Sequence, residues 1–272
     1  MRAITGAVAA GLILGLAAFA QSDLASASSA QLPQPLTQWE NVPSDTECRV
    51  ERSYGDPAKP IFLGIHESIS GKSFELIVTT ASKEIAVLDE LPGWISLSGA
   101  PIERWALHIS NGKGNSIDRF GLTSSEMSKV AAGDRVSLRI NGEPDGDFAL
   151  TGLADVLSQL DQCTARLRQQ WRVDEPDLPM GIKGPRGDVR TPFATEAPTW
   201  WRLHLHRGKV QFIVLVDESG KISGCDVQET AGAPLLEELG CELILRDVKA
   251  EPARDRTGKP VKDSFRTPPI VN

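Results

Sequence analysis

The sequence predicts an α+β fold. An N-terminal antiparallel sheet domain ends in a closing helix, and a smaller C-terminal domain follows in which a three-stranded antiparallel sheet carries one packed helix. Three observations lead there. Short apolar segments alternate with period 2 and are punctuated by Gly, Asn and Pro turns. Two later segments, near 153–171 and 234–244, switch to helical spacing. Between those two, Val173 to Pro198 carries repeated Pro and Gly and no periodicity.

The first residues read as an export signal. Met1 and Arg2 give a short basic start, Ala3 to Ala20 is uncharged, and Ala18-Phe19-Ala20 supplies small-x-small cleavage chemistry. Residues 1–20 are therefore expected to be a signal peptide cleaved near Ala20. The alternative is a retained N-terminal anchor: as a helix this run would span about 27 Å, just short of a hydrocarbon core of about 30 Å. Residues 21–45, rich in Ser, Ala, Gln and Pro, are expected to form a flexible leader.

The first domain is expected over 46–172. Ile61, Leu63 and Ile65 share one strand face, and Phe74, Leu76 and Val78 repeat the pattern after a turn at Ser70-Gly71-Lys72. Trp105, Leu107 and Ile109 lead to Asn111-Gly112, a hairpin signal. Thr123 and Glu126 have capping-box spacing, which predicts a short helix. Val136, Leu138 and Ile140 resume strand spacing before Asn141-Gly142. In the closing helix, from about Leu153 to Trp171, Val156, Leu160, Cys163 and Leu167 fall on one face. The Pro density of 173–198 favours an extended segment of at most roughly 80 Å, a linker or an arm lying over the domains.

The second domain is expected over 199–272. Lys209 to Val216 is a strand with apolar residues on both faces: Val210, Phe212, Val214 and Val216 on one, Ile213 and Leu215 on the other. Asp217-Glu218-Ser219-Gly220 turns it into a return strand, Lys221 to Glu229. Pro234 suits a first helical turn, and Leu235, Leu236, Leu239, Leu243 and Ile244 form a helical stripe. A third strand is expected over Val261–Phe265.

Four cysteines in an exported chain read as disulfides, with three possible pairings. The domain organisation favours Cys48 with Cys163 and Cys225 with Cys241, one bond per domain. Zinc is disfavoured, because no C-x-x-C pair or Cys/His cluster has ligand spacing.

The stretch Trp200 to Ile270 resembles the C-terminal domain of TonB-type energy transducers. The likeness rests on Arg207-Gly208-Lys209-Val210 entering a strand, the hairpin Asp217-x-x-Gly220-Lys221-Ile222, and Leu235-Leu236 starting a helix. Glu251-Pro252-Ala253-Arg254-Asp255 and Gly258-Lys259-Pro260-Val261 complete it. The cysteines resemble those of a disulfide-bearing branch of exported bacterial proteins. The resemblance implies a periplasmic setting and a protein partner in the cell envelope, such as an outer-membrane receptor segment added to the open sheet edge at Val261, Lys262, Asp263, Ser264 and Phe265. Three departures bear on force transduction. Residues 3–20 contain no His, the Pro-rich stretch lies between two folded regions, and Trp200-Trp201-Arg202 replaces the family's Tyr-Pro.

Signals of chemistry are few. Gly71-Lys72-Ser73 ends like a phosphate loop, but His66 stands where its first glycine belongs. Gly112-Lys113-Gly114 lacks the third glycine of a dinucleotide fingerprint, and no G-x-S-x-G is present. His66-Glu67 has no second His at zinc-protease spacing, and His204 and His206 lack a third ligand candidate. Trp200, Trp201 and Arg202 are the residue types that dominate binding hot spots, or else a domain-docking patch. The formal net charge of -7 comes without a Lys/Arg run, so nucleic acid is not an expected partner. The expectation is a periplasmic, non-catalytic binding or scaffold protein without cofactor or metal. The alternatives are a membrane-anchored energy transducer for outer-membrane transport and an exported enzyme with its site in the N-terminal domain.

Overall fold

Alternation of apolar and polar residues builds one large antiparallel sheet. The computed structural model describes residues 33–97, 101–110, 112–141, 143–174, 185–195, 209–230 and 233–270. The sheet comprises β1 (Glu40–Pro43), β2 (Cys48–Asp56), β3 (Lys59–Glu67), β4 (Ser73–Ala81), β5 (Val87–Ser96), β6 (Ile102–Ser110), β7 (Asn115–Thr123), β8 (Arg135–Ile140) and β9 (Glu143–Ala149). Their order is β1-β2-β3-β4-β7-β6-β5-β8-β9. The sheet curls until its ends meet. The Tyr54 hydroxyl on β2 donates to the Ala149 carbonyl on β9 at 2.7 Å, and the Tyr54 ring meets Phe148 edge-on at 5.1 Å. Helix α1 (Ser124–Ala132) starts with the Thr123/Glu126 capping box. Helix α2 (Leu153–Gln170) lays Leu153, Val156, Leu160, Cys163 and Leu167 on the concave face, against Val50, Ile65, Leu76 and Phe120.

The sheet starts earlier than the expected boundary at 46. Pro35 bridges Tyr54, the Leu36 amide donates to the Ser53 carbonyl, and β1 pairs with β2. Trp39 explains why: it packs on the core and its indole N–H donates to the Thr151 carbonyl at 3.2 Å. Residues 1–32 lie outside the described residues, and with them the expected signal peptide and the start of the leader.

The C-terminal part is a three-stranded sheet of β11 (Gln211–Val216), β12 (Ile222–Glu229) and β16 (Asp263–Arg266), in the order β12-β11-β16. Two short ladders accompany it: β10 (Arg186–Gly187) with β13 (Ala250–Glu251), and β14 (Ala253–Arg254) with β15 (Pro260–Val261). Helix α3 (Arg190–Thr195) stacks Phe193 on Phe212. Helix α4 (Pro234–Asp247) packs Leu236 and Ile244 against Phe212, Val214 and Val216. The described ends of the expected linker are therefore folded. Arg186–Gly187 forms a ladder, and Val189 joins the C-terminal core.

The expected third strand is broken. Val261 pairs with Ala253 in the β14–β15 hairpin, and pairing with β11 begins only at Asp263. Lys262 lies between the two ladders, with its ammonium 5.3 Å from the centre of the Trp171 ring. Beyond Arg266 the tail continues along β11. The Thr267 amide donates to the Phe212 carbonyl, and Val210 and Ile270 exchange both backbone hydrogen bonds. Pro268 and Pro269 sit between those points, where no ladder donor is required.

Residues from Leu32 onward form one compact unit. The two-sided apolar pattern of β11 is the cause: its Ile213 and Leu215 are 1% exposed and belong to the core of the large sheet. The contact lies at one end of that sheet. Ser68 Oγ donates to the Val227 carbonyl at 3.0 Å. The Arg266 guanidinium donates to the Val173 carbonyl at 3.1 Å.

Candidate functional site

Both sulfur pairs are joined as disulfides. Cys48, opening β2, is bonded to Cys163 on the core face of α2, with Cα atoms 5.9 Å apart. Cys225 on β12 is bonded to Cys241 on α4, with Cα atoms 5.4 Å apart. The first bond is sealed in the core, and the second is half-buried.

The candidate partner residues separate by position. Val261 and Lys262 lie off the outer strand, for the pairing reasons given above. Asp263, Ser264 and Phe265 lie on β16. Thr267 donates to β11, so by antiparallel alternation the backbone groups of Phe265 and Asp263 also face β11, and those of Ser264 and Arg266 face away. The outward Ser264 amide donates to Asp263 Oδ1 at 2.8 Å. Asp263 is 2% exposed, and Phe265 borders the C-terminal core. Trp200, Trp201 and Arg202, with His204 and His206, lie outside the described residues.

A cleft of about 650 Å³ opens between the convex face of the large sheet and the β12–α4 pair. Alternation along the strands carries its lining: His66 follows core residue Ile65, Glu75 precedes Leu76, and Arg119 precedes Phe120. Arg119 grips Glu75 with contacts of 2.7 to 3.2 Å and reaches Glu238 of α4 at 2.5 Å. His66 Nδ1 lies 3.5 Å from Glu75 Oε2. Asp226 of β12 completes the group, accepting from the Ile69 amide at 2.5 Å and the Val227 amide at 2.7 Å. Apolar Ile77, Leu107 and Ile117 line the floor.

Electrostatics follow from that packing. Burial works against the charge on Glu75, but Arg119 and His66 outweigh it and hold the carboxyl at about 2. Burial likewise opposes the His66 imidazolium, yet Glu75 and the charge of Asp226 raise its pKa above the ordinary value. Desolvation raises Asp226 against the pull of His66 and two amides. His66 and Asp226 both keep their protons to higher pH than their ordinary values allow, and the Arg119–Glu238 contact ties α4 to the sheet.

A second cluster lies on the concave side, where His108 and Asp118 share the faces of Ala106 and Phe120. His108 Nδ1 meets Asp118 Oδ1 at 2.6 Å, and its Nε2 meets Glu84 Oε2 at 3.1 Å. The carboxylates hold opposite ring nitrogens, so one cation cannot take all three groups. Among the described residues no His/Cys/Asp/Glu group is placed to hold a metal ion, and no helix is long and apolar enough to cross a membrane.

Sequence reasoning singled out His66 only as a motif failure and missed the cleft. Its charged group alone draws on five elements, and no local spacing joins residues as distant as His66 and Glu238. Comparisons with protein-family models, curated proteins and solved structures return no match.

Proposed function

We propose that the chain is a non-catalytic binding protein of the periplasm. On this reading, its C-terminal sheet receives an extended segment of a cell-envelope protein. The carrying observation is the sheet order, which leaves β16 outermost with the Ser264 carbonyl and the backbone groups of Arg266 directed away from β11. Such an edge templates another strand, and β-augmentation gives affinity through main-chain bonds. The resemblance of residues 200–270 to TonB C-terminal domains supports this mode, and the two disulfides support an oxidising compartment. The Asp263 carboxylate on the Ser264 amide is then a built-in competitor that an incoming strand displaces.

The test is a pair of single variants of the full chain, Ser264→Pro and Arg266→Pro, each used to capture envelope proteins. Partner capture should be lost while near-ultraviolet dichroism is kept. Capture that survives both prolines in a folded protein rules out strand addition at β16. The cleft favours a second reading, an exported enzyme using His66 with Glu75 and Asp226 as proton-transfer groups. Loss of a measured hydrolase or transferase turnover in His66→Gln would support it. The transducer reading requires residues 3–20 to stay attached, and a mature N-terminus near Ala20 would end it.

A further inference from the structure

We propose that Cys225–Cys241 is an exchangeable disulfide: a thiol-reactive site opening into the cleft, suited to thiols that carry positive charge. The two disulfides of this chain differ in access. Cys48 and Cys163 are 1% and 2% exposed beneath α2, so no thiol reaches them without unfolding. Cys225 and Cys241 are half-buried, and both line the cleft of about 650 Å³. Exchange needs a thiolate to reach a disulfide sulfur, so access separates a structural bond from a reactive one.

The approach has a definite charge. Glu237, Glu238 and Glu242 of α4 line the same wall as Cys241, and Asp226 stands next to Cys225. Arg119 offsets Glu238, and Arg49, Lys72 and Arg104 line the cleft beside Glu47 and Glu75, so the negative potential is that of the α4 wall, where Glu237 and Glu242 flank Cys241. An anionic thiol is repelled there and a cationic one is drawn in. The step balances as follows. A thiolate attacks one sulfur, the S–S bond breaks, and its electron pair leaves on the other sulfur, which takes a proton. A second thiol of the reductant attacks the mixed disulfide. The protein is left with two thiols, and the reductant carries the new disulfide and has lost two electrons.

Reduction has a structural consequence. Cys225–Cys241 is the covalent tie between β12 and α4, the two elements that wall the cleft. Without it, α4 keeps Leu236 and Ile244 in the core and its contact with Arg119. The helix stays docked but loses its tether on the cleft side, so redox state sets the freedom of that wall. This holds whether or not β16 accepts a partner strand.

The experiment uses the full oxidised chain in low salt without denaturant. It is exposed to cysteamine (cationic), 2-mercaptoethanol (neutral) or glutathione (anionic) at matched thiolate concentration. Alkylation and peptide mass mapping follow each pair, and hydrogen exchange follows α4. Cys225 and Cys241 should be labelled roughly tenfold or more ahead of Cys48 and Cys163. The rates should fall in the order cysteamine, 2-mercaptoethanol, glutathione, and the order should weaken with salt. Amides of 241–245 should exchange faster after reduction while those of β2 to β4 stay unchanged. Equal rates for both pairs, or no labelling without denaturant, overturn the proposal. Rates independent of thiol charge overturn the assignment to cationic thiols.

Discussion

Replacing Arg119 by Met tests whether the ion cluster binds α4 to the sheet or merely decorates it. Arg119 makes two charge-assisted contacts, to Glu75 and to Glu238, and its own side chain is 27% exposed. Glu75 titrates at about 2 against an ordinary 4.5. At about 1.4 kcal/mol per pH unit, that difference is worth roughly 3 kcal/mol. About a quarter of the Glu75 side chain meets water, and screening brings the figure nearer about 2 kcal/mol. The sign is that of a depressed carboxyl: the stabilisation is present above 4.5 and is lost as pH falls toward 2. Urea unfolding followed by circular dichroism should show Arg119→Met weaker by about 2 kcal/mol at pH 7, with the gap narrowing below pH 4.5 and closing toward pH 2. A loss below about 0.5 kcal/mol at pH 7 would refute the cluster's role. A gap that stays constant into acid would show that the cost is packing rather than charge.

Other outcomes follow from single contacts. Tyr54 is the only tyrosine in the chain and burial pushes its hydroxyl up to about 12, so ultraviolet titration of the folded protein should show no tyrosinate near pH 10. Stability should fall above pH 10, where the unfolded chain ionises, and Tyr54→Phe should cost about 1–2 kcal/mol through the unpaired Ala149 carbonyl. A Cβ on Gly224 would stand 2.9 Å from Leu215 Cδ1 and 3.1 Å from Thr46 Cβ. Gly224→Ala should therefore lower the urea midpoint by an equivalent of about 1–3 kcal/mol. His66, with its pKa raised in the fold, stabilises below its unfolded value near 6.5 and loses that contribution as pH rises through the folded value. NMR titration should place its midpoint above 6.5, and His66→Gln should flatten the stability slope there.

Much of the architecture was legible because local chemistry and tertiary need agree. The Thr123/Glu126 box, the buried stripe of α2 and the hairpin at Asp217–Gly220 all read directly. β5 and β7 did not. β5 contains Pro92, tolerated because the β5–β8 ladder begins one residue later, at Gly93. β7 turns Ser116 and Asp118 inward beside Phe120 and Leu122, and those polar residues hide the period-2 signal. Asp118 is there to meet His108. Val261–Phe265 read as one strand because a two-residue ladder and a four-residue ladder abut across Lys262. The cleft was illegible for a different reason. It lies between parts that the sequence presents as separate domains, and only the docked arrangement brings Asp226 toward His66.

That docked arrangement rests on β11, whose odd residues serve one core and whose even residues serve the other. A strand owned jointly cannot be divided by truncation. A fragment ending at residue 172 leaves its end of the large sheet uncovered, and a fragment beginning near 199 presents Ile213 and Leu215 bare to water. Heat should melt the chain in one calorimetric transition rather than two. During synthesis from the N-terminus, the first core stays incomplete until the last quarter of the chain has emerged.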